Sequence, residues 1–193
     1  MNTQEKILNS ALKIFVEQGF SASTSSITKD AGVSTGILFH YFPTKKDLIN
    51  TLYANILFEY YTVSSHFPIV VTETDPSKFY ENQKQRWMSH IDWALVNWNK
   101  FIFIQLFEGS ILAEQFNLEN NKKVEQVTSL FFTPIKSMIE QKIFKDLPIK
   151  FLVSTTIAYN ASLTMFLHEN QQFQDDPDFM EQSWNIYWEM LIK

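Results

Sequence analysis

The chain has 193 residues and a formal net charge of −5, and at 45% hydrophobic and 16% aromatic residues it holds enough apolar material for a sizeable core, which excludes a disordered protein. It has no cysteine, so disulfide frameworks, thiolate chemistry and cysteine-based metal sites are excluded. No apolar run approaches the ~18 residues of a membrane span and no long apolar segment opens the chain, so a cytoplasmic protein with no membrane partner is expected.

Charge is distributed unevenly. Residues 1–50 hold five lysines (Lys6, Lys13, Lys29, Lys45, Lys46) against four acids (Glu5, Glu17, Asp30, Asp47), a net +1, which leaves −6 for the remainder. Steering toward a polyanion depends on the local field more than on the total, so a slightly basic head on an acidic body remains compatible with a nucleic-acid partner.

Asn2 and Glu5 form a capping-box pattern ahead of Ile7, Leu8, Ala11, Leu12, Phe15 and Val16 at helical spacing, and Gly19 stands where that helix must stop. Ser23 can cap a short second helix carrying Ile27 and Ala31 on one face, and Gly32 ends it. Ser34 can cap a third, which Pro43 terminates. Two short helices joined by a tight turn have the layout of a helix-turn-helix, whose second helix lies in the DNA major groove.

At about 100° per residue, Thr35 to Phe42 sort into two arcs. Ile37, Leu38, Tyr41 and Phe42 form an apolar arc expected to dock on neighbouring helices, and Thr35, Gly36, Phe39 and His40 form the expected recognition face. Thr44 with Asp47 can cap a fourth helix. Lys45 and Lys46 in its first turn oppose the helix dipole, and a phosphate bound there would relieve the mismatch.

The run AGVSTGILFHYFPTKKDLI, Ala31 to Ile49, resembles the DNA-binding signature of the TetR family of transcriptional regulators, and EKILNSALKIFVEQGF, Glu5 to Phe20, resembles that family's first helix. The resemblance covers about the first 50 residues. It implies a ligand-responsive, homodimeric DNA-binding regulator, a repressor released from a pseudo-palindromic operator by a small apolar or amphipathic molecule, and not an enzyme. Its phosphate and base contacts would come from Ser23, Thr24, Ser25, Ser34, Thr35, Gly36, Phe39, His40, Lys45 and Lys46. The chain departs from the family pattern in three places. It is one residue short between Gly19 and Gly32, it has Ser25 where the family often has a basic residue, and Ile37 and Phe39 stand where hydroxyl-bearing residues commonly anchor phosphates. Either weaker DNA binding than is typical or a greater dependence on Thr35, His40, Lys45 and Lys46 follows.

From Lys45 a linking helix runs with Leu48, Leu52, Ile56 and Tyr60 on one stripe, and Pro68 to Pro76 read as a loop. Further helices are expected from Asp75 through Trp98, and over 101–116, 119–144, 149–169 and 177–192, with Pro134 kinking the third of these five. The fold class expected is all-α: a three-helix head at 1–46 on a larger helical effector-binding and dimerisation body at 47–193, about nine helices in total.

The body's aromatics, Trp87, Trp98, Phe103, Phe107, Phe131 and Tyr159 among them, either line an apolar cavity or fill it. Among these stripes, the polar residues His90, Glu108 and Asn160 are candidate specificity contacts for a ligand. The last two helices, one with a small-residue face (Ser154, Ala158, Ser162) and one apolar on more than one side, are expected to form the homodimer interface that the resemblance implies. No metal-ligand cluster, nucleophile motif or cofactor-binding glycine pattern is present, so no cofactor is expected. Two other classes stay open on the residues alone, a DNA-binding dimer without an effector and a helical carrier or enzyme that retains the head.

Overall fold

The computed structural model describes residues 2–63, 67, 76–114, 132–133 and 135–193. The expected PIVV loop, the Asp75 cap, the Pro134 kink and Phe131 lie outside them. The all-α expectation holds: the regular elements are α1 (Thr3–Gln18), α2 (Thr24–Ala31), α3 (Thr35–Tyr41), α4 (Lys45–Thr62), α5 (Pro76–Val96), α6 (Trp98–Glu108), α7 (Ile111–Glu114), α8 (Ile149–Glu169) and α9 (Pro177–Leu191). Of the expected 119–144 helix, residues 132–133 and 135–140 are helical within the described part. Among the described residues, no helix is long and apolar enough to cross a membrane.

The chain packs as two units, residues 1–59 with 97–124, and residues 60–96 with 125–193. In the first, the local punctuation behaves as its chemistry dictates. Glu5 N–H donates to Asn2 Oδ1 and Asn2 N–H donates to Glu5 Oε2, each at 2.9 Å, a reciprocal capping box that satisfies two otherwise orphaned donors of α1. Gly19 closes α1 at φ 72°, and its N–H donates to the Phe15 carbonyl at 2.9 Å. Ile7, Ala11, Ile14 and Phe15 form the buried face of α1. Ser23 and Ser34 accept from the N–H groups of Ser26 and Ile37 at 3.0 and 3.2 Å, capping α2 and α3. Phe42, preceding Pro43, is forced into extended backbone and ends α3.

Three tertiary ties set the head. Lys13 on α1 pairs with Asp30 on α2 at 2.7 Å. Phe15 and Phe20 pack against Phe103 of α6, with ring centroids 6.2 and 5.6 Å away. Tyr53 of α4 stacks on Phe107 at 3.9 Å and donates its hydroxyl to Glu108 Oε1 at 3.1 Å. The helix expected at 101–116 starts instead at Trp98 and breaks at Gly109, whose N–H donates to the Gln105 carbonyl.

In the second unit α5, α8 and α9 enclose a core of Trp87, Ile91, Leu163, Leu167 and Trp184. Asp176 caps α9 by accepting from Asp178 and Phe179 N–H at 3.0 and 3.1 Å, with Pro177 at the first helical position. Lys84 pairs with Glu181 between α5 and α9. A short antiparallel bridge between Phe144 and Ile192 fastens the chain end over a second cluster of Met138, Leu152 and Leu191.

The α2–α3 turn depends on Gly32, which sits in the left-handed region at φ 66°, ψ 34° with open space where a Cβ would project. Gly32→Ala is therefore penalised by backbone strain alone, by about 1 kcal/mol, read as a lowered urea midpoint at unchanged m-value.

Candidate functional site

Helix α3 has two turns, and only Leu38 on it and Phe42 at its cap are buried. The expected apolar arc is thus half right: Ile37 and Tyr41 are 42% and 41% exposed, not docked. Leu38 and Phe42 lie about 40° apart on the helical wheel, so the buried part of α3 is one narrow stripe. Thr35, Gly36, Phe39 and His40 are exposed as expected, and the outward surface widens to include Ile37 and Tyr41. Tyr41, packed edge-on to His40 at 5.4 Å, brings to it a phenol hydroxyl that the periodicity had assigned to the interior.

The flanking polar residues divide by what already holds them. The Ser23 and Ser34 hydroxyls are engaged in their caps, Ser25 is exposed, and Thr24 is half-buried. Lys45 was expected to offer its ammonium to a phosphate; instead Nζ donates to the Phe20 carbonyl at 2.7 Å and lies 5.9 Å from the Phe15 ring centroid. It neutralises the carbonyl just past the end of α1. Lys46 is exposed on the first turn of α4.

A second site lies within the other unit, a cavity of about 70 Å³. Helical spacing builds it. Gln83, Arg86, Trp87 and His90 share one face of α5, Leu152, Thr156 and Asn160 one face of α8, and Trp184, Tyr187, Trp188 and Leu191 one face of α9, while Tyr60 and Tyr61 close it from the last turn of α4. Its electrostatics are unusual for so apolar a space. Arg86 is the only arginine in the chain, and its Nη1 donates to the Phe67 carbonyl at 3.3 Å. Burial lowers its pKa from the usual arginine value, though a guanidinium stays charged at any ordinary pH. No carboxylate lines the cavity among the described residues.

His90 is buried, its ring tilted against Tyr60 at 4.6 Å, and burial together with the Arg86 charge lowers its pKa to about 3. Its ring bonds the Tyr60 backbone while Nδ1 has no partner. A neutral ring donating through Nε2 presents Nδ1 as a bare acceptor. Burial pushes the Tyr187 phenol up to about 12, so it keeps its proton. Trp87 Nε1 donates to Asn160 Oδ1 at 2.9 Å, which fixes that amide.

Of the residues expected to contact a ligand, Trp87, His90 and Asn160 line this cavity. Tyr159 does not; its hydroxyl donates to the Ser183 carbonyl at 2.7 Å and its ring packs on Tyr187. Phe103 and Phe107 are buried in the first unit against Phe20, Glu108 is exposed there, and Trp98 packs on Phe101 in that unit. Arg86, Gln83 and Tyr187 were missed. A solitary arginine four residues before a histidine on an otherwise apolar face was the signal that could have found the first of them.

Comparison with known proteins bears on the head most directly. Residues 7–52 match the model of the family described as bacterial regulatory proteins, tetR family. Over these residues the chain is similar to that family. Over 51 residues the chain is 45% identical to the HTH-type transcriptional regulator UidR of Escherichia coli (strain K12), a match spanning 26% of this chain and only 26% of UidR. The whole chain is similar in fold to a TetR family transcription regulator from Shewanella sp. PV-4, with a TM-score of 0.85 at 24% identity and 100% of both chains covered. It is also similar in fold to the transcriptional regulator FadR from Bacillus subtilis, solved in complex with stearoyl-CoA, with a TM-score of 0.64 at 19% identity, covering 98% of this chain and 97% of that one. The tetR match ends before the cavity residues, so the chemistry of the cavity has to be read from this chain's own side chains.

His90 makes stability depend on pH. Its folded pKa lies below the ordinary 6.5, so between about 6.5 and 3 the unfolded chain binds more protons and stability is lost as pH falls. Urea unfolding of the protein and His90→Gln should diverge accordingly, the wild type losing up to about 1.4 kcal/mol per pH unit relative to the variant below pH 6.

Proposed function

We propose that this protein is a homodimeric, ligand-responsive transcriptional regulator, a repressor that binds a pseudo-palindromic operator through α3 and leaves it when a small molecule occupies the cavity. The observation that carries the reading is the outward surface of α3: Thr35, Gly36, Phe39 and His40 exposed together on a tetR-family head. A bare backbone at Gly36 lets the helix approach base edges closely, and the hydroxyl and imidazole can read them. The nearest atom to a Cβ built on Gly36 is Ser34 Oγ at 3.9 Å, so nothing inside the protein asks for glycine there. That FadR was solved with stearoyl-CoA is consistent with an effector in the body.

Two features of the surface favour a dimer through the last two helices. On α8, Phe151 is 57% exposed and shares a stripe with the small residues Ser154, Ala158 and Ser162 and with Met165; on α9, Ile186 is 55% exposed. Small residues among large ones allow two helices to approach closely. Two recognition helices would then lie about 34 to 36 Å apart, one turn of DNA. The effector acts only to the extent that it binds one head spacing better than the other.

Fluorescence anisotropy on DNA upstream of the gene tests the first half. Thr35→Ala and His40→Ala should each weaken specific binding by about 1 to 3 kcal/mol, and Lys46→Ala should flatten the salt slope by about 1. Unchanged binding in all three variants would remove α3 as the reading helix. For the second half, Phe151→Asp with Ile186→Asp should yield a monomer in sedimentation velocity, and a persistent dimer would put the interface elsewhere.

A further inference from the structure

The cavity in the second unit carries more information than the existence of a ligand site, because its polar groups are few and unequal. Arg86, the chain's only arginine, lines it with a single carbonyl contact, to Phe67, and with no carboxylate partner among the described residues. A cation withdrawn from water without a counter-charge is costly, and an anion arriving beside it recovers that cost. A guanidinium fork matches a planar carboxylate in shape and balances one negative charge. His90, buried and neutral, adds an acceptor at Nδ1 with nothing bonded to it. The remaining walls are largely indole and phenol rings, Trp87, Trp188 and Tyr187 among them.

Size narrows the class further. An apolar cavity of about 150 Å³ admits benzene, and this one measures about 70 Å³. A small molecule of one ring or a short chain is therefore the size class nearest to it, and even that enters only as the walls give.

We propose that this cavity binds a small organic monocarboxylate whose carboxylate pairs with Arg86, whose hydroxyl or amide donates to His90 Nδ1, and whose apolar remainder lies against Trp87 and Trp188. The inference rests on the effector reading only in taking the cavity as a ligand site. A ligand that needs the walls to yield has differential affinity for an expanded state by construction, which is the condition for it to shift a population.

The test is tryptophan fluorescence titration of the full-length protein with benzoate, the three hydroxybenzoates, butyrate and the neutral isostere benzamide. Benzoate or butyrate should bind at least tenfold tighter than benzamide, and whichever of the two binds identifies the remainder as ring or chain. One hydroxybenzoate should exceed benzoate, an advantage lost in His90→Leu. Arg86→Gln should weaken the carboxylate at least tenfold and leave benzamide within twofold. Equal binding of benzoate and benzamide to the wild type, or no saturable binding of any carboxylate below 10 mM, overturns the proposal without reliance on a variant's folding. Anisotropy on DNA separates this result from the regulator reading. Arg86-dependent carboxylate binding with unaltered DNA affinity keeps the site and removes the ligand response, while specific DNA binding with no carboxylate bound keeps the DNA-binding reading and removes the carboxylate site.

Discussion

The ring of Phe15 is the point to which the first unit is referred. It is fully buried at the end of α1, with Phe20 at 5.5 Å, Phe103 of α6 at 6.2 Å and the Lys45 ammonium at 5.9 Å. Lys45 adds a hydrogen bond to the Phe20 carbonyl, so the end of α1, the start of α4 and the middle of α6 converge on one aromatic cluster. Helix α3 is too short to hold itself; a two-turn helix is marginal in water whatever its sequence. Leu38 and Phe42 are buried, and α3 packs on α2, which itself packs on α1, the helix that carries Phe15. The outward surface of α3 is thus a product of packing on its opposite side, and disturbance of the Phe15 cluster would reach that surface with no direct contact to it.

The second unit works under a different constraint, the cost of polar groups among tryptophans. Most of its buried polar atoms are paired. Trp87 donates to Asn160, Tyr159 to the Ser183 carbonyl, and Thr156 to the Val153 carbonyl. Against that background three groups stand out: the Arg86 charge, with no carboxylate beside it among the described residues of the lining, and the partnerless His90 Nδ1 and Trp184 Nε1. A core selected only for stability would replace such groups by apolar ones of similar shape, since an unpaired buried polar atom costs about 1 to 3 kcal/mol. That they line one cavity together is what separates this aromatic cluster from ordinary filling.

Most of what depends on residues three or four apart in the head was readable from the sequence. The Asn2–Glu5 and Thr44–Asp47 boxes, the Ser23 and Ser34 caps, and the breaks at Gly19, Gly32 and Pro43 are local agreements between a side chain and its own backbone. They fix where helices start and stop, and with them the exposure of Thr35 and His40. Which neighbour an apolar residue meets is not local, and there tertiary structure decided. Phe103 and Trp87 carry the same signal of an aromatic at helical spacing, yet one packs on Phe15 and the other lines the cavity. Ile37 and Tyr41 look as buriable as Leu38, but only the narrow stripe of Leu38 and Phe42 is covered. Lys45 reads as a free cation until the Phe20 carbonyl arrives beside it, and Arg86 reads as a solvated helix charge until α8 and α9 close over α5. Periodicity names a face of a helix, and only the partner brought to that face determines whether it becomes core, cavity or surface.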